Sequence, residues 1–340
     1  VNERLKRIPV GRVSKRVAVA KGMYLTGITG ALLRMAPWRG VVVLSYHRIG
    51  DASSSDTNRA LWTATAASLH RQLRFLRRHC EIIDPEQLLR PELLAARGRR
   101  VLVSFDDGYR DLYEAAYPVL QANGVRATMF LCSGFLDGLA SAWWDEIAWM
   151  LRQSALRQGE PPALPPGPWS TQALALDDGG IERAIDMVTR RYWELPPDGA
   201  AAMVEELGSV TGAGRRPGGA ASADWITWEM AREMRRAGHQ IGAHTVTHPI
   251  LARLSHERQR EEIAGSADRI EAELGERPRW LAYPVGVRDA FDEGSRSAAA
   301  EAGIELAFSN YGGRVTRSNF LAHDVRRVSA ETLKTQTLFS

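Results

Sequence analysis

Short apolar runs that alternate with helical periodicity constrain this chain most. Runs at 41–46, 101–105, 125–132, 240–243, 279–283 and 305–309 have the length and composition of strands. Helical patterns intervene, and that alternation marks βα units and a parallel sheet. Leu69, Leu73 and Leu76 share one helical face, and a helix over 111–123 stops at Gly124. Thr227 can cap a helix over 228–237 that Gly238 ends. Ser255 can cap a long helix to Leu274, with Gly275 beyond it and Ile263, Ala267, Ile270 and Leu274 on one face. The alternation alone permits a barrel or a doubly wound open sheet.

The stretch 137–224 breaks the rhythm. It holds Pro161-Pro162, Pro165-Pro166, Pro168 and a glycine-rich piece at 212–219, together with helical patterns near 143–157, 181–193 and 198–208. It reads as a helical insertion in a domain spanning 41–330. Two cysteines, Cys80 and Cys132, are too few for a disulfide framework, and Cys132 lies in an apolar run.

Charge is uneven. Residues 1–40 carry nine Lys or Arg against the single acid Glu3, although the whole chain is only +4. The apolar stretch 23–33 that follows is too short to span a bilayer, and no small-residue cleavage site comes after it. This segment reads as a basic amphipathic helix, packed on the domain and able to touch anionic lipid at a membrane surface. That points to a cytoplasmic or cytoplasmic-membrane-associated protein rather than a periplasmic or extracellular one. No nucleic-acid module is apparent, so nucleic acid is not an expected partner.

Two motifs carry chemistry. The run 101–105 ends in Asp106-Asp107-Gly108, and the run 240–243 ends in His244-Thr245-Val246-Thr247-His248-Pro249. One carboxylate with two imidazoles is a three-ligand set for a catalytic divalent metal with an open position, and the second carboxylate is then free to act as a base. Imidazoles with a carboxylate suit Zn2+, and also Co2+ or Ni2+. Pro249 biases His248 toward extended backbone, which makes the histidines a loop pair. In parallel α/β barrels sites form at the carboxyl ends of strands. Asp106, Asp107, His244, Tyr283 and His47 all follow predicted strands there.

Phe105-Asp106-Asp107-Gly108 together with His244-Thr245-Val246-Thr247-His248 resembles the polysaccharide deacetylase family, the NodB-homology carbohydrate esterases. Val42-Val43-Leu44-Ser45-Tyr46-His47-Arg48, Ala127-Thr128-Met129-Phe130-Leu131 and Trp280-Leu281-Ala282-Tyr283-Pro284-Val285-Gly286 extend the resemblance from about residue 41 to about 330. The resemblance implies a distorted (β/α) barrel of about seven parallel strands. It assigns Asp107, His244 and His248 to the metal, Asp106 to the general base, and the backbone N–H of Tyr283 to the oxyanion. Two departures stand out. The family's third motif has an arginine three residues before its tyrosine; here Trp280 stands there and Arg279 is one residue off. The late Leu-x-His motif, which supplies a general acid, is matched by Leu321-Ala322-His323.

For the proton donor, His47 is placed at a strand end and titrates near neutrality; His323 is the alternative. Arg110, just after the Asp-Asp-Gly turn, is a candidate to orient a carboxylate in place of the missing arginine. Trp143, Trp144 and Asp145 open the insertion and, with Trp149, offer aromatic faces and an acceptor to a sugar; at helical spacing they equally suit a core. The expected activity is metal-dependent removal of N-acetyl groups from N-acetylhexosamine units of a polysaccharide or glycolipid. Hydrolysis of a sugar formamide or O-acetyl ester is the alternative reaction, and a non-catalytic glycan-binding domain the alternative class.

Overall fold

The computed structural model describes residues 38–53, 55–157, 162–216 and 223–330. The basic N-terminal segment, with its expected helix and lipid contact, lies outside them apart from its last residues. Among the described residues no helix is long and apolar enough to cross a membrane.

In chain order, β1 (Val41–Tyr46) is followed by β2 (Arg48–Ile49) and β3 (Trp62–Ala64), which pair with each other, then by β4 (Glu81–Ile82), β5 (Arg100–Phe105) and β6 (Thr128–Leu131). A minor antiparallel pair, β7 (Ala163–Leu164) and β8 (Leu174–Ala175), lies in the insertion. The main sheet resumes with β9 (Gln240–Ala243), β10 (Trp280–Ala282), β11 (Leu306–Phe308) and β12 (Val328–Ser329). Its order is β11-β10-β9-β6-β5-β1-β12, with β4 added alongside β5, and every pairing in it is parallel. Val325, three residues before β12, makes a parallel bridge with Phe308 of β11. The segment leading into β12 therefore links the two edges, and the sheet is a distorted (β/α) barrel rather than an open doubly wound sheet.

Residues two apart on a strand share a face. Leu44, Tyr46, Val101, Val103, Phe105 and Met129 pack outward with Leu69, Leu73 and Leu76 of the helix Ala66–His79 and with Ile263 and Ile270 of the helix His256–Leu274. The alternate residues Val41, Val43, Leu102, Phe130, Ala282 and Phe308 form a separate interior cluster. Gly242 on β9 makes room for it: a Cβ there would lie 2.6 Å from the Phe130 ring. Following these inward columns toward the carboxyl ends, apolar residues give way to polar ones. Val43 leads to Ser45 and His47, Leu102 to Ser104 and Asp106, Gly242 to His244, and Phe308 to Asn310. The strand period thus delivers the candidate chemistry to one end of the barrel.

The expected caps are present, with Thr227 and Ser255 each accepting a backbone N–H in the first turn and Gly275 (φ 74°) ending the long helix; Thr65 caps the helix Ala66–His79 in the same way. The helix expected over 111–123 is not regular. It begins as a wide π-type turn over Leu112–Ala116 before the helix Tyr117–Ala122. Pro118 has no N–H to return to the preceding turn, which accounts for the change. In the insertion, the helices Trp143–Arg157, Ile181–Glu194 and Pro197–Val210 enclose a second core of Ile147, Leu151, Val188, Met203 and Leu207.

Candidate metal centre and catalytic pocket

Asp107 sits at the tip of a three-residue turn closed by Gly108 N–H to the Asp106 carbonyl. Asp107, Thr245, His248 and Val285 are the non-glycine residues with positive φ among the described residues, and all four lie at this end of the barrel. Left-handed backbone costs a residue with a Cβ about 1–2 kcal/mol, and such strain gathers where a site over-determines the geometry. Here the determinants are visible. Glu262, buried on the long helix, accepts hydrogen bonds from the N–H groups of Val246 (2.9 Å) and Thr247 (2.8 Å) and from the Thr247 hydroxyl (2.6 Å). Thr245 Oγ1 accepts the His248 N–H at 3.1 Å, while Ser133 and Gly134 donate to the carbonyls of Thr245 and Val246. His248 therefore adopts φ 57° instead of the extended backbone expected before Pro249.

These constraints bring Asp107, His244 and His248 together, all buried, with their ligand atoms within 4.8 Å of one another. Asp107 Oδ1 is 3.3 Å from His244 Nε2 and 3.6 Å from His248 Nε2. His244 Nδ1 lies 2.7 Å from the Ala282 carbonyl, which can only accept, so Nδ1 carries a proton and Nε2 is the nitrogen presented to the carboxylate. Two imidazole nitrogens beside one buried carboxylate oxygen form a donor set that fits a divalent metal. Burial, reinforced by His244, pushes His248 down to about 3, which keeps the ring neutral as a ligand must be. Burial opposes ionisation of Asp107, but the hydrogen bond from His244 and the neighbouring His47 prevail and hold its carboxyl well below the usual range.

Asp106 lies beside this centre and is held by a residue that motif reading missed. Arg327 donates from Nη1 to Oδ1 (2.6 Å) and from Nη2 to Oδ2 (2.8 Å). Its Nε donates to the Ser309 carbonyl, Nη1 also reaches Ser104 Oγ, and the guanidinium lies over Phe130. Burial opposes ionisation of Asp106, but Arg327, with His244 and His47, outweighs it and lowers the pKa. His47 Nε2 is 3.9 Å from Asp106 Oδ2.

The remaining expectations divide. His47, Trp143, Trp144 and Tyr283 line one cavity of roughly 210 Å³ with Asp106, Asp107, His244, His248 and Arg327. Trp143 donates to the His248 carbonyl, and the Trp144 ring sits edgewise 4.4 Å from the His248 ring. Tyr283, however, has no N–H to offer an oxyanion: the β10–β11 ladder continues one residue further, and that N–H donates to the Phe308 carbonyl at 2.9 Å. Asp145 does not reach the cavity. It is buried as the acceptor for Tyr109 Oη (2.7 Å) and the Asn58 N–H (2.9 Å), and so fixes the insertion to the barrel. Arg110 does not approach Asp106, because it pairs one helical turn away with Glu114 on the surface. His323 also lies away from the cavity, with Nε2 2.8 Å from the carbonyl of Ile304, which precedes β11. Trp149 is packed against the insertion core.

A family model described as Polysaccharide deacetylase matches residues 95–155 and 201–307, and the break between the two stretches falls inside the insertion. Among solved structures, the Streptococcus pyogenes deacetylase PplD, determined in complex with acetate, superposes with a TM-score of 0.53 at 18% identity, covering 88% of this chain and 99% of that one. Shorter sequence matches join this chain to two Bacillus subtilis proteins. They are the putative polysaccharide deacetylase YxkH, 58% identical over 31 residues or 9% of this chain, and the uncharacterized protein YlxY, 33% identical over 58 residues or 17% of this chain. Those matches span 11% and 18% of the two relatives' own lengths.

Proposed function

Because the chain belongs to the polysaccharide deacetylase family, we propose that it is a metal-dependent hydrolase that removes N-acetyl groups from N-acetylhexosamine units of a polysaccharide or glycolipid. The observation that carries the proposal is the convergence of Asp107, His244 and His248 beside the Arg327-held Asp106 in one cavity. Zinc suits the donor set, as do cobalt and nickel. Such an ion, when bound, supplies Lewis acidity that polarises an acyl carbonyl and lowers the pKa of water toward about 7.

The chain's own residues supply the rest. Asp106, kept ionised and aimed by Arg327, accepts the proton of the attacking water. His47, lining the same cavity with Nε2 3.9 Å from Asp106, returns a proton to the leaving nitrogen. An amine leaves poorly without that proton, so an amide demands an acid here in a way that an ester does not. Trp143, Trp144, Leu61 and Val285 wall the cavity and exclude bulk water. A glycan-binding domain without catalysis would have no need to bury a carboxylate–imidazole cluster and a second ionised carboxylate, and both carry large desolvation penalties.

The test is acetate release from N-acetylated hexosamine oligomers by protein stripped with chelator and reloaded with zinc, cobalt or nickel. Acetate that appears only with the reloaded protein supports the reading. Release of formate from formylated sugars, or of acetate from O-acetyl sugars alone, would replace the substrate assignment. No acyl release with any ion would overturn the reading.

A further inference from the structure

Of the two histidines at the metal centre, one is oriented by a hydrogen bond of its own and the other is not. His244 is fixed through Nδ1 and the Ala282 carbonyl. His248 presents Nε2 to Asp107, while its buried Nδ1 makes no hydrogen bond to a described residue. Metal-ligating imidazoles almost always donate their second N–H, and that bond sets the orientation of the ring. His248 instead takes its orientation from the backbone that carries it and from the Trp144 and Phe135 rings beside it. That backbone is left-handed twice in four residues, at Thr245 (φ 64°) and at His248 itself (φ 57°). Released from its contacts, such a loop would relax toward ordinary φ and carry the ring with it.

Two elements hold the loop. The turn after β6 takes its carbonyls: Ser133 N–H donates to Thr245 at 3.2 Å, Gly134 N–H to Val246 at 2.9 Å and Cys132 Sγ to Val246 at 3.0 Å. A Cβ on Gly134 would collide with the Val246 carbonyl oxygen, so this approach needs glycine. The same turn reaches the carboxylate ligand, because Cys132 N–H donates to the Asp107 carbonyl at 3.3 Å. The helix His256–Leu274 takes the N–H groups through Glu262. That side chain is only 7% exposed, and its partners are the Val246 and Thr247 N–H groups and the Thr247 hydroxyl, none of them a cation. A buried carboxylate met only by neutral donors is costly, and every one of those donors lies between the two histidines. We propose that Glu262 is a positioning residue that holds His248 in its ligand geometry, acting through the loop's donors and not through the imidazole. The assignment rests on the metal-centre reading and adds what orients the ligand that lacks a hydrogen bond of its own.

The test compares Glu262→Met, Glu262→Gln and Thr247→Val in the full chain. Zinc affinity is read by competition with a chromophoric chelator, and ligand geometry by the visible d–d absorption of the cobalt-loaded protein; neither depends on turnover. Glu262→Met keeps the bulk and removes both acceptors, and should weaken zinc binding by roughly 10- to 100-fold, the usual effect of losing a group that orients a ligand. Its cobalt spectrum should change as well. Glu262→Gln should stay close to wild type, because its carbonyl oxygen can accept both N–H groups while its NH2 donates to the Thr247 hydroxyl. Thr247→Val removes one of the three bonds and should cost about three- to tenfold. Thr247 is exposed, so this variant decides the matter if Glu262→Met does not fold, and unchanged zinc affinity in it would then overturn the assignment. A merely structural brace would lower thermal stability equally with and without metal and leave affinity and the cobalt spectrum of Glu262→Met as in wild type, which would overturn it. Loss in Glu262→Gln as large as in Glu262→Met would show that the charge acts on the ion, and would overturn a role through positioning. A wild-type protein that takes up neither zinc nor cobalt would instead overturn the metal-centre reading, and this assignment with it.

Discussion

Arg327 and Asp106 form a buried, bidentate ion pair, 2.6 Å and 2.8 Å across its two hydrogen bonds, between residues 221 positions apart in the sequence. The pair uses the geometry in which a guanidinium fits a carboxylate best. Both partners are almost wholly buried, so each is the other's main compensation for lost hydration. The arrangement trades basicity for availability. Asp106 is held below the usual carboxylate range, and so is ionised across neutral pH and fixed in one rotamer.

Arg327→Met should therefore do two things. It strands a buried carboxylate, which costs about 3–5 kcal/mol of stability. It also lets burial dominate Asp106, whose pKa rises, so the acid limb of the kcat/KM profile moves to higher pH. Arg327→Lys keeps the charge without the fork and should fall between. Profiles recorded on protein of verified metal content check this; a limb that stays in place in the Met variant would mean that Arg327 does not govern Asp106.

Asp106 and Asp107 are adjacent but separable. Asp106→Asn should retain the metal and lose about 10²–10⁴ in kcat, the usual worth of general-base assistance. His244→Ala and His248→Ala should lose the metal, and activity with it. Metal analysis of each purified variant decides the matter, and loss of metal from Asp106→Asn with its fold intact would make Asp106 a ligand.

How much of this was legible in sequence follows from where each signal resides. Asp106, Asp107, His244 and His248 follow apolar runs long enough to read as strands, and the strand period carries them to one end of the barrel. Arg327 precedes β12, a strand of two residues with no readable period, and Arg326-Arg327 looks like surface charge. Only the pairing of Leu44 with Val328 and Ser45 with Ser329 shows that the chain re-enters the sheet beside β1 and places Arg327 at the barrel mouth. Tyr283 failed as a donor for a related reason: whether an N–H beyond a strand end is free depends on how far the ladder runs. Arg110 and His323 had suitable neighbours in sequence and unsuitable ones in space. Glu262 sits in a helix whose face reads as an ordinary amphipathic pattern, and nothing local marks it as bracing the histidine loop.

His47 is expected to protonate the leaving nitrogen. His47→Ala should lower turnover of an N-acetyl sugar by about 10²–10⁴ while sparing an activated acetate ester, whose leaving group needs no proton. His323→Ala should affect neither, since that ring is occupied with the Ile304 carbonyl. Parallel amide and ester assays on the two variants check the assignment. An amide-selective loss in the His323 variant alone would reverse it.

Asp145 gives a stability prediction with a definite sign. Burial is the main influence on it and outweighs the attraction of Arg48, raising its pKa from 3.8 to about 6. A carboxyl whose folded-state pKa is raised contributes its full stability below the unfolded value and loses it as pH rises through the folded value. Below about pH 4 the group is protonated in both states. Between about 4 and 6 the unfolded chain ionises first and the folded state loses ground, by up to about 3 kcal/mol for a shift of this size. Asp145→Asn has no such titration. At pH 4.5 the folded carboxyl is protonated, with one O–H to donate and one oxygen to accept, whereas an asparagine NH2 brings a second N–H to be satisfied beside Tyr109 Oη and the Asn58 N–H. The variant should thus be less stable than wild type at pH 4.5, and its disadvantage should shrink by pH 7. Trp144, whose indole donates to Tyr109 Oη, would lose a fixed anchor, so metal affinity should weaken as the packing against His248 loosens. Urea unfolding of both proteins at the two pH values is the measurement. A disadvantage that grows with pH would show that Arg48, held between the Trp62 and Tyr109 rings at 4.2 Å and 4.3 Å, keeps Asp145 ionised in the folded state.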